Sequence, residues 1–401
     1  MKLKKPISTM APVLSLALLG GCSLAQPQDC PVAEAGLSET RIKIDRYLGF
    51  YDLFILDDGS SVVAGSIESN SVNPLGLRYD AYVLKSNASG DVQWSKTWNW
   101  GPYSEWSAIE ASGDGGYYLA GITGVSSGFL IEELDTVIAK IDGLGEEVWS
   151  HVIQSDIDNS ASSLVVNSDG TFIVAGREGS SASLAKFGAA GNEIWRRLYE
   201  RSSAFSVVAS ADGGYAFSGQ SGDYLGVFKT DADGVLQWRF DGADASEFDF
   251  TYAPGMGIVE TRDGGYAAVC SISDEDFGYH LVVVKLDSAG GYLWGAVAPG
   301  VSDAPYTYGY ALLERSDGSL VAGGQSYAFH PVFSSLARCY RYYGVRLGED
   351  GQVLWSARLG EFGSGANAID TNPAGQVVFA GTDVEANGNS FVYLLTSDAG
   401  G

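Results

Sequence analysis

Histidine and methionine occur three times each in 401 residues, cysteine four times and proline eleven times. The three histidines, His151, His280 and His330, are far apart and form no His-x-x-x-His or Glu-x-x-His spacing, so no zinc site is assigned and no metal ligand set is named. No Gly-x-Ser-x-Gly nucleophile elbow is present, and no catalytic residue is assigned. Cations are scarce: 24 Lys and Arg face 49 Asp and Glu, a formal net charge of −25. A chain that neutralises phosphates needs a basic surface, so nucleic acid is excluded as a partner. No 3.6-residue apolar period persists, which excludes a long helical repeat. What is present is a normal apolar fraction of 45%, enough for a folded core, and 53 glycines without the every-third-residue period of collagen.

The first 21 residues read as an export signal: Lys2, Lys4 and Lys5 precede an apolar stretch over residues 11–19. That stretch falls short of the ~20 residues a membrane-spanning helix needs, and nothing later reaches that length. It ends in Leu19-Gly20-Gly21-Cys22, which resembles the lipobox of bacterial lipoproteins. The resemblance implies lipidation of Cys22, and Ser23 after it implies sorting to the outer membrane, on its periplasmic or outer side. The expected organisation is a signal over 1–21, a lipid-anchored linker over 22–40 and one body over 41–401. Cys270 lies in an apolar strand pattern and reads as a small core residue. Cys30 and Cys339 lie in loop-like sequence in an oxidising compartment, which leaves two readings, a disulfide between them or two free thiols.

The body is one motif repeated seven times. Asp-Gly-Gly-Tyr, three mostly apolar residues and a closing Gly appear from Asp114 to Gly121, Asp212 to Gly219 and Asp263 to Cys270, with looser copies at Asp58, Asp169, Asp317 and Ala374. A second line follows: an apolar strand, Lys, a Gly turn and Trp. From the Asp position to the closing position is seven residues in every unit, and from Lys to Trp nine in six units, with Arg346 replacing Lys in the sixth. Short β-runs around tight Gly turns are the hairpin signature. Four antiparallel strands per unit predict an all-β, seven-bladed β-propeller. The seventh unit stops at Gly401 with no Trp strand, while residues 41–46 alternate ahead of the first unit. That N-terminal strand is expected to complete the last blade and close the ring, removing open edges.

The line Lys-x-Asp-x-x-Gly-x-x-x-Trp resembles the repeat of quinoprotein-type, PQQ-like β-propellers, over about residues 41–401. The resemblance implies that Trp94, Trp149, Trp195, Trp238, Trp294 and Trp355 dock neighbouring blades. It extends, distantly, to the propeller lipoprotein of the outer-membrane barrel-assembly machinery, which binds a partner and catalyses nothing. Here the turn is one residue shorter, an Asp-Gly-Gly-Tyr line is added and there are seven units where that subunit has eight. The Cys-Cys pair of quinoprotein dehydrogenases is absent from this sequence, so the likeness is read as architectural and no cofactor is assigned. Calcium is the one ion with oxygen-rich candidates. Asp231-Ala232-Asp233-Gly234 reads as a turn variant and Asp274-Glu275-Asp276 as part of a variable loop.

The two constant spacings are both hairpin turns and share one face. The other connections vary, from 10 to 22 residues after the closing position and from 17 to 25 after Trp. Loops on a rigid scaffold are where binding residues sit. On this variable-loop face the candidates are Trp98, Trp100, Trp106, Phe248, Phe250, Tyr252, Tyr306, Tyr308, His330, Tyr340 and Tyr342. The expected function is an outer-membrane-anchored, non-enzymatic scaffold that binds an envelope protein. The alternative is a glycan-binding or polysaccharide-degrading propeller using the same aromatics and paired carboxylates.

Overall fold

The structure is a computed structural model, which describes residues 38–397 except 45, 47, 70–77, 128–129, 245–254, 274–278, 301–305, 330–337, 360–365 and 385–389. Among the described residues no helix is long and apolar enough to cross a membrane. The described chain is built from strands, with one 3-10 turn at Gly242–Asp244.

Strand β1 (Ser38–Ile44) comes first. A first sheet follows from β2 (Leu48–Ile55), β3 (Ser61–Glu68), β4 (Tyr79–Ser86) and β5 (Val92–Trp98), and a second from β6 (Tyr103–Ala111), β7 (Tyr117–Ser127), β8 (Leu130–Ile141) and β9 (Glu147–Ile153). The third holds β10 (Asn159–Val166), β11 (Phe172–Glu178), β12 (Ser181–Phe187) and β13 (Glu193–Tyr199). The fourth holds β14 (Ser202–Ala209), β15 (Tyr215–Ser221), β16 (Tyr224–Thr230) and β17 (Leu236–Asp241). The fifth holds β18 (Gly255–Glu260), β19 (Tyr266–Ser273), β20 (Tyr279–Leu286) and β21 (Tyr292–Val297). The sixth holds β22 (Tyr306–Glu314), β23 (Leu320–Phe329), β24 (Arg338–Leu347) and β25 (Val353–Leu359). The last comprises β26 (Ala368–Thr371), β27 (Val377–Val384), β28 (Ser390–Thr396) and, as its fourth strand, β1. Each of the first six is an antiparallel meander, and the last is an antiparallel sheet completed by the N-terminal strand; the first and second are also joined by one parallel bridge between Tyr79 and Tyr103.

The first strand of each sheet packs on that of the next, from β2 on β6 through β22 on β26, and β26 packs on β2. An apolar cluster fills each seam. Ile42, Val378 and Val392 meet Leu48, Phe50 and Val63 between the last sheet and the first. Val62 and Val83 meet Ile109 and Tyr117 between the first and the second. Middle strands are therefore covered on both faces, as the unbroken burial of β3 up to Ile67 shows. Outer strands such as β5 and β9 stay largely in water and carry the polar residues.

Both constant turns have one geometry. Ser112 N–H donates to Gly116 O at 2.9 Å, and Asp142 N–H to Glu146 O at 2.9 Å; Gly145 N–H closes the inner turn on Asp142 O at 3.0 Å. The glycine in each has positive φ, +89° at Gly115 and +80° at Gly145, which explains the recurring Gly. The closing glycine has another cause. The first strands of the first six sheets carry a bulge, between Trp106 and Ala108 in β6, and a Cβ on Gly121 would lie 2.0 Å from Glu105 O.

The recurring Asp and Lys meet. Lys140 pairs with Asp114, Lys229 with Asp212 at 2.7 Å, Lys285 with Asp263 at 2.8 Å and Arg346 with Asp317 at 2.5 Å. Each pair ties the turn of the first hairpin to the third strand. Their carboxyls are held low: Asp114 and Asp317 to about 2 chiefly by hydrogen bonds from Lys140 and Ser319 respectively. In the last sheet the same positions hold Ala374 and Thr396, so both charges are absent together.

Candidate functional site

The docking tryptophans lie at the seams. A Cβ on Gly145 would fall 2.8 Å from the Trp94 ring, one on Gly234 2.9 Å from Trp195, and one on Gly290 2.6 Å from Trp238. Trp149 packs with Phe172 of the third sheet. Trp238 and Trp294 donate their indole N–H to Ser288 O and Glu349 O in the next sheet's turn, at 3.2 and 3.1 Å. Trp355 packs among Phe379 and Tyr393 of the last sheet. A side chain at these turn glycines would collide with an indole ring, in addition to the strain of positive φ.

The proposed loop-face aromatics divide. Trp106 and Tyr342 are fully buried, so neither offers a surface contact, which corrects the sequence reading. Trp106 fills the seam between the first two sheets, with Trp98 and Trp100 edge-on to it at 5.8 and 5.0 Å. Trp98 also donates to Glu147 Oε2 on β9 at 2.9 Å, so it is engaged across the seam. Tyr342 belongs to the cluster between the sixth and last sheets. Phe248, Phe250, Tyr252, His330, Cys22, Cys30 and Asp274-Glu275-Asp276 fall outside the described residues. The β24 backbone runs through Cys339 and Tyr340, whose side chains are also outside them. Asp231 caps its own turn, its Oδ1 accepting from Asp233 and Val235 N–H at 3.0 and 2.8 Å. Cys270 is buried, and burial pushes its thiol well up.

Tyr306 and Tyr308 are brought together with the neighbouring Tyr310 and Tyr327 and with Tyr279, His280 and Gln325, which sequence reasoning did not place here. Both lie near the start of β22, at the end of the sheets where the connections vary. Tyr308 stacks on Tyr279 at 4.6 Å, Tyr327 at 5.6 Å and Tyr310 at 6.3 Å, while Tyr306 stacks on Tyr327 at 5.1 Å and lies 6.2 Å from His280. The Tyr310 hydroxyl donates to Gln325 Oε1 at 3.0 Å. Tyr327 is wholly buried against the partly buried Tyr306 and Tyr308. The arrangement is a supported aromatic surface edged with hydroxyls, suited to stacking and hydrogen bonding.

A second feature is acidic. Asp52 on β2 accepts Ile109 N–H of the second sheet and its neighbour Leu53 N–H, at 2.9 and 2.8 Å. Asp370 on β26 accepts Ile55 N–H of the first sheet at 2.9 Å. Burial, and then Asp370, push Asp52 up to about 7. Burial, then Asp52 and Asp370, push Glu110 up to about 8. Four residues before the Asp position, other units have Phe54, Val165, Val208, Val259 and Leu313 where these have Glu110 and Asp370. Two acids in an otherwise apolar repeat column were the available signal. Glu105 is a further buried acid, bonded by Tyr103. A groove of about 430 Å³ lies elsewhere, lined by Arg197, Leu198, Val235 and Leu236, with Glu200 as its carboxylate. Among the described residues no group of three or more His, Cys, Asp or Glu is placed to hold a metal ion.

No protein-family model matches the chain, and no curated protein matches it. Solved structures do. The Dos1 propeller is 9% identical with a TM-score of 0.49, over 89% of this chain and 95% of that one. A protein of unknown function from Bacteroides caccae is 12% identical with a TM-score of 0.44, over 74% and 93%. A functionally unknown protein from Desulfotomaculum acetoxidans DSM 771 is 12% identical with a TM-score of 0.46, over 80% and 95%. By its own strand pairing the chain is an all-β protein of four-stranded antiparallel sheets.

Proposed function

We propose that the chain is a lipid-anchored, seven-bladed β-propeller of the outer membrane, whose variable-loop face binds an envelope protein without catalysis. The seam clusters and the packing of β26 on β2 support a closed ring. The observation that carries the functional reading is the contrast between the two ends of the sheets. At one end, hairpins of fixed length are tied down by Asp–Lys pairs. At the other, connections differ in length and the tyrosines around Tyr308 form a supported surface. Rigid aromatic anchors with adjacent polar groups are typical hot-spot chemistry.

The test is site-specific photo-crosslinking in the intact envelope from position 306, with position 148 on the fixed-turn side as control. One envelope protein captured from 306 and not from 148, and lost on Tyr308→Ala, is expected. Crosslinks of equal yield from both positions would overturn the reading. Thermal protection of the purified protein by a saccharide, lost on Tyr308→Ala, would replace it with the glycan-binding alternative.

A further inference from the structure

Two observations, independent of the tyrosine surface, concern the fixed-turn end of the sheets. The first is where the N-terminal chain enters. β1 pairs with β28 from Ser38 opposite Thr396 to Ile44 opposite Ser390, and Thr396 is also opposite Val378, just past the fixed turn at Gly375. The chain therefore enters the last sheet on the fixed-turn side. Cys22 is fifteen intervening residues upstream of Ser38, a reach of at most about 55 Å.

The second is where large apolar side chains are exposed. Leu144 and Val235 are at fixed-turn tips, 71% and 54% exposed. Val148, Ile194, Leu293 and Leu354, all about half exposed, each precede a docking tryptophan at the start of an outer strand. Scattered exposed apolar residues need no explanation, but these recur around the same rim in successive sheets. The Asp partners of Lys140, Lys229 and Lys285 are ion-paired on this side, while Asp142 and Asp287 accept N–H groups of their own turns there. An apolar rim that also carries exposed carboxylates, such as Glu147, Glu193 and Asp350, suits a zwitterionic lipid interface better than an anionic one.

We propose that the fixed-turn face rests on the lipid surface that holds the anchor, so that the variable-loop face points away from it. This rests on the lipidation of Cys22 proposed above. The strand register sets the side from which the tether leaves, and the apolar rim on that same side adds the shallow contact that holds this face to the lipid.

The mature lipidated protein, carrying Cys30→Ser and Cys339→Ser, is reconstituted on phosphatidylcholine vesicles. A bimane label is placed at L144C, V235C or, on the variable-loop side, I157C. Flotation reports the anchor; quenching by brominated acyl chains reports the face. Expected are flotation of all three, quenching by half or more at 144 and 235, and no change at 157. Floating protein with 157 quenched, or with 144 and 235 unquenched, overturns the orientation and leaves the anchor intact. A label signal that follows protein density and not lipid bromination overturns it in favour of a second copy on that rim. Failure to float removes the anchor, and the inference with it.

Discussion

At the residue scale, two turn glycines with similar backbone conformations have different surroundings. Gly115 and Gly145 both have positive φ, yet a Cβ on Gly115 meets nothing within 4 Å while one on Gly145 meets Trp94 at 2.8 Å. Gly115→Ala is expected to cost about 1–2 kcal/mol, from left-handed backbone strain alone. Gly145→Ala adds overpacking and should cost about 2–4 kcal/mol in urea unfolding, with a red-shifted Trp94 emission. Equal costs would mean that the indole does not bear on the turn. The Asp–Lys pairs give a second test. Lys285 is nearly buried, but Asp263 is 59% exposed. Water screens the pair, so Asp263→Ala should cost about 1 kcal/mol and not the 3–5 of a wholly buried one. Adding Lys285→Met should recover most of the loss, as the last sheet already lacks both charges at Ala374 and Thr396.

At the element scale, β1 is the strand whose loss would be felt most widely. It is the fourth strand of a sheet whose other three strands lie at the far end of the chain. Ile42 is fully buried and shares a cluster with Leu48, Val378 and Val392, so one side chain joins both ends of the described chain. Ile42→Ala is expected to lower stability by about 2–4 kcal/mol. Because β28 without β1 would expose an unpaired edge, the variant should also scatter light at lower temperature than wild type. Val148→Ala, on an outer strand in water, should change stability by less than about 0.5 kcal/mol.

At the scale of the whole molecule, the buried acids of the first strands and the paired acids of the turns make stability depend on pH in opposite directions. Asp52 and Glu110 have folded pKa values of about 7 and 8 against 3.8 and 4.5 unfolded. The folded state binds their protons more tightly, so their contribution is full below the unfolded values and is lost as pH rises through 7 to 8. Asp263 and Asp317, held at about 2, contribute above 3.8 and lose that contribution as pH falls toward 2. Stability should peak near pH 4–5 and fall on the order of 2–4 kcal/mol by pH 9, and Glu110→Gln should flatten the alkaline slope. A melting temperature that rises from pH 5 to 9 would contradict this. Much of the fold was legible beforehand because the repeat writes local rules: Asp-Gly and Lys-x-Asp mark turns, and the Gly-to-Trp interval positions an indole over the next turn. The N-terminal strand was legible because one unit was short by one strand. The site was less so. Trp106, Tyr342 and Tyr308 are all aromatic residues within strands, and their burial depends on which neighbour covers them. Asp52, Glu110 and Asp370 are remote in sequence and meet because the first strands of three sheets pack together. By itself the sequence determined strand and turn, since these follow from hydrogen bonding and φ within a few residues. Tertiary structure alone decided which aromatics are covered and which carboxyls share a seam, because desolvation and Coulomb interaction act between surfaces brought together from distant parts of the chain.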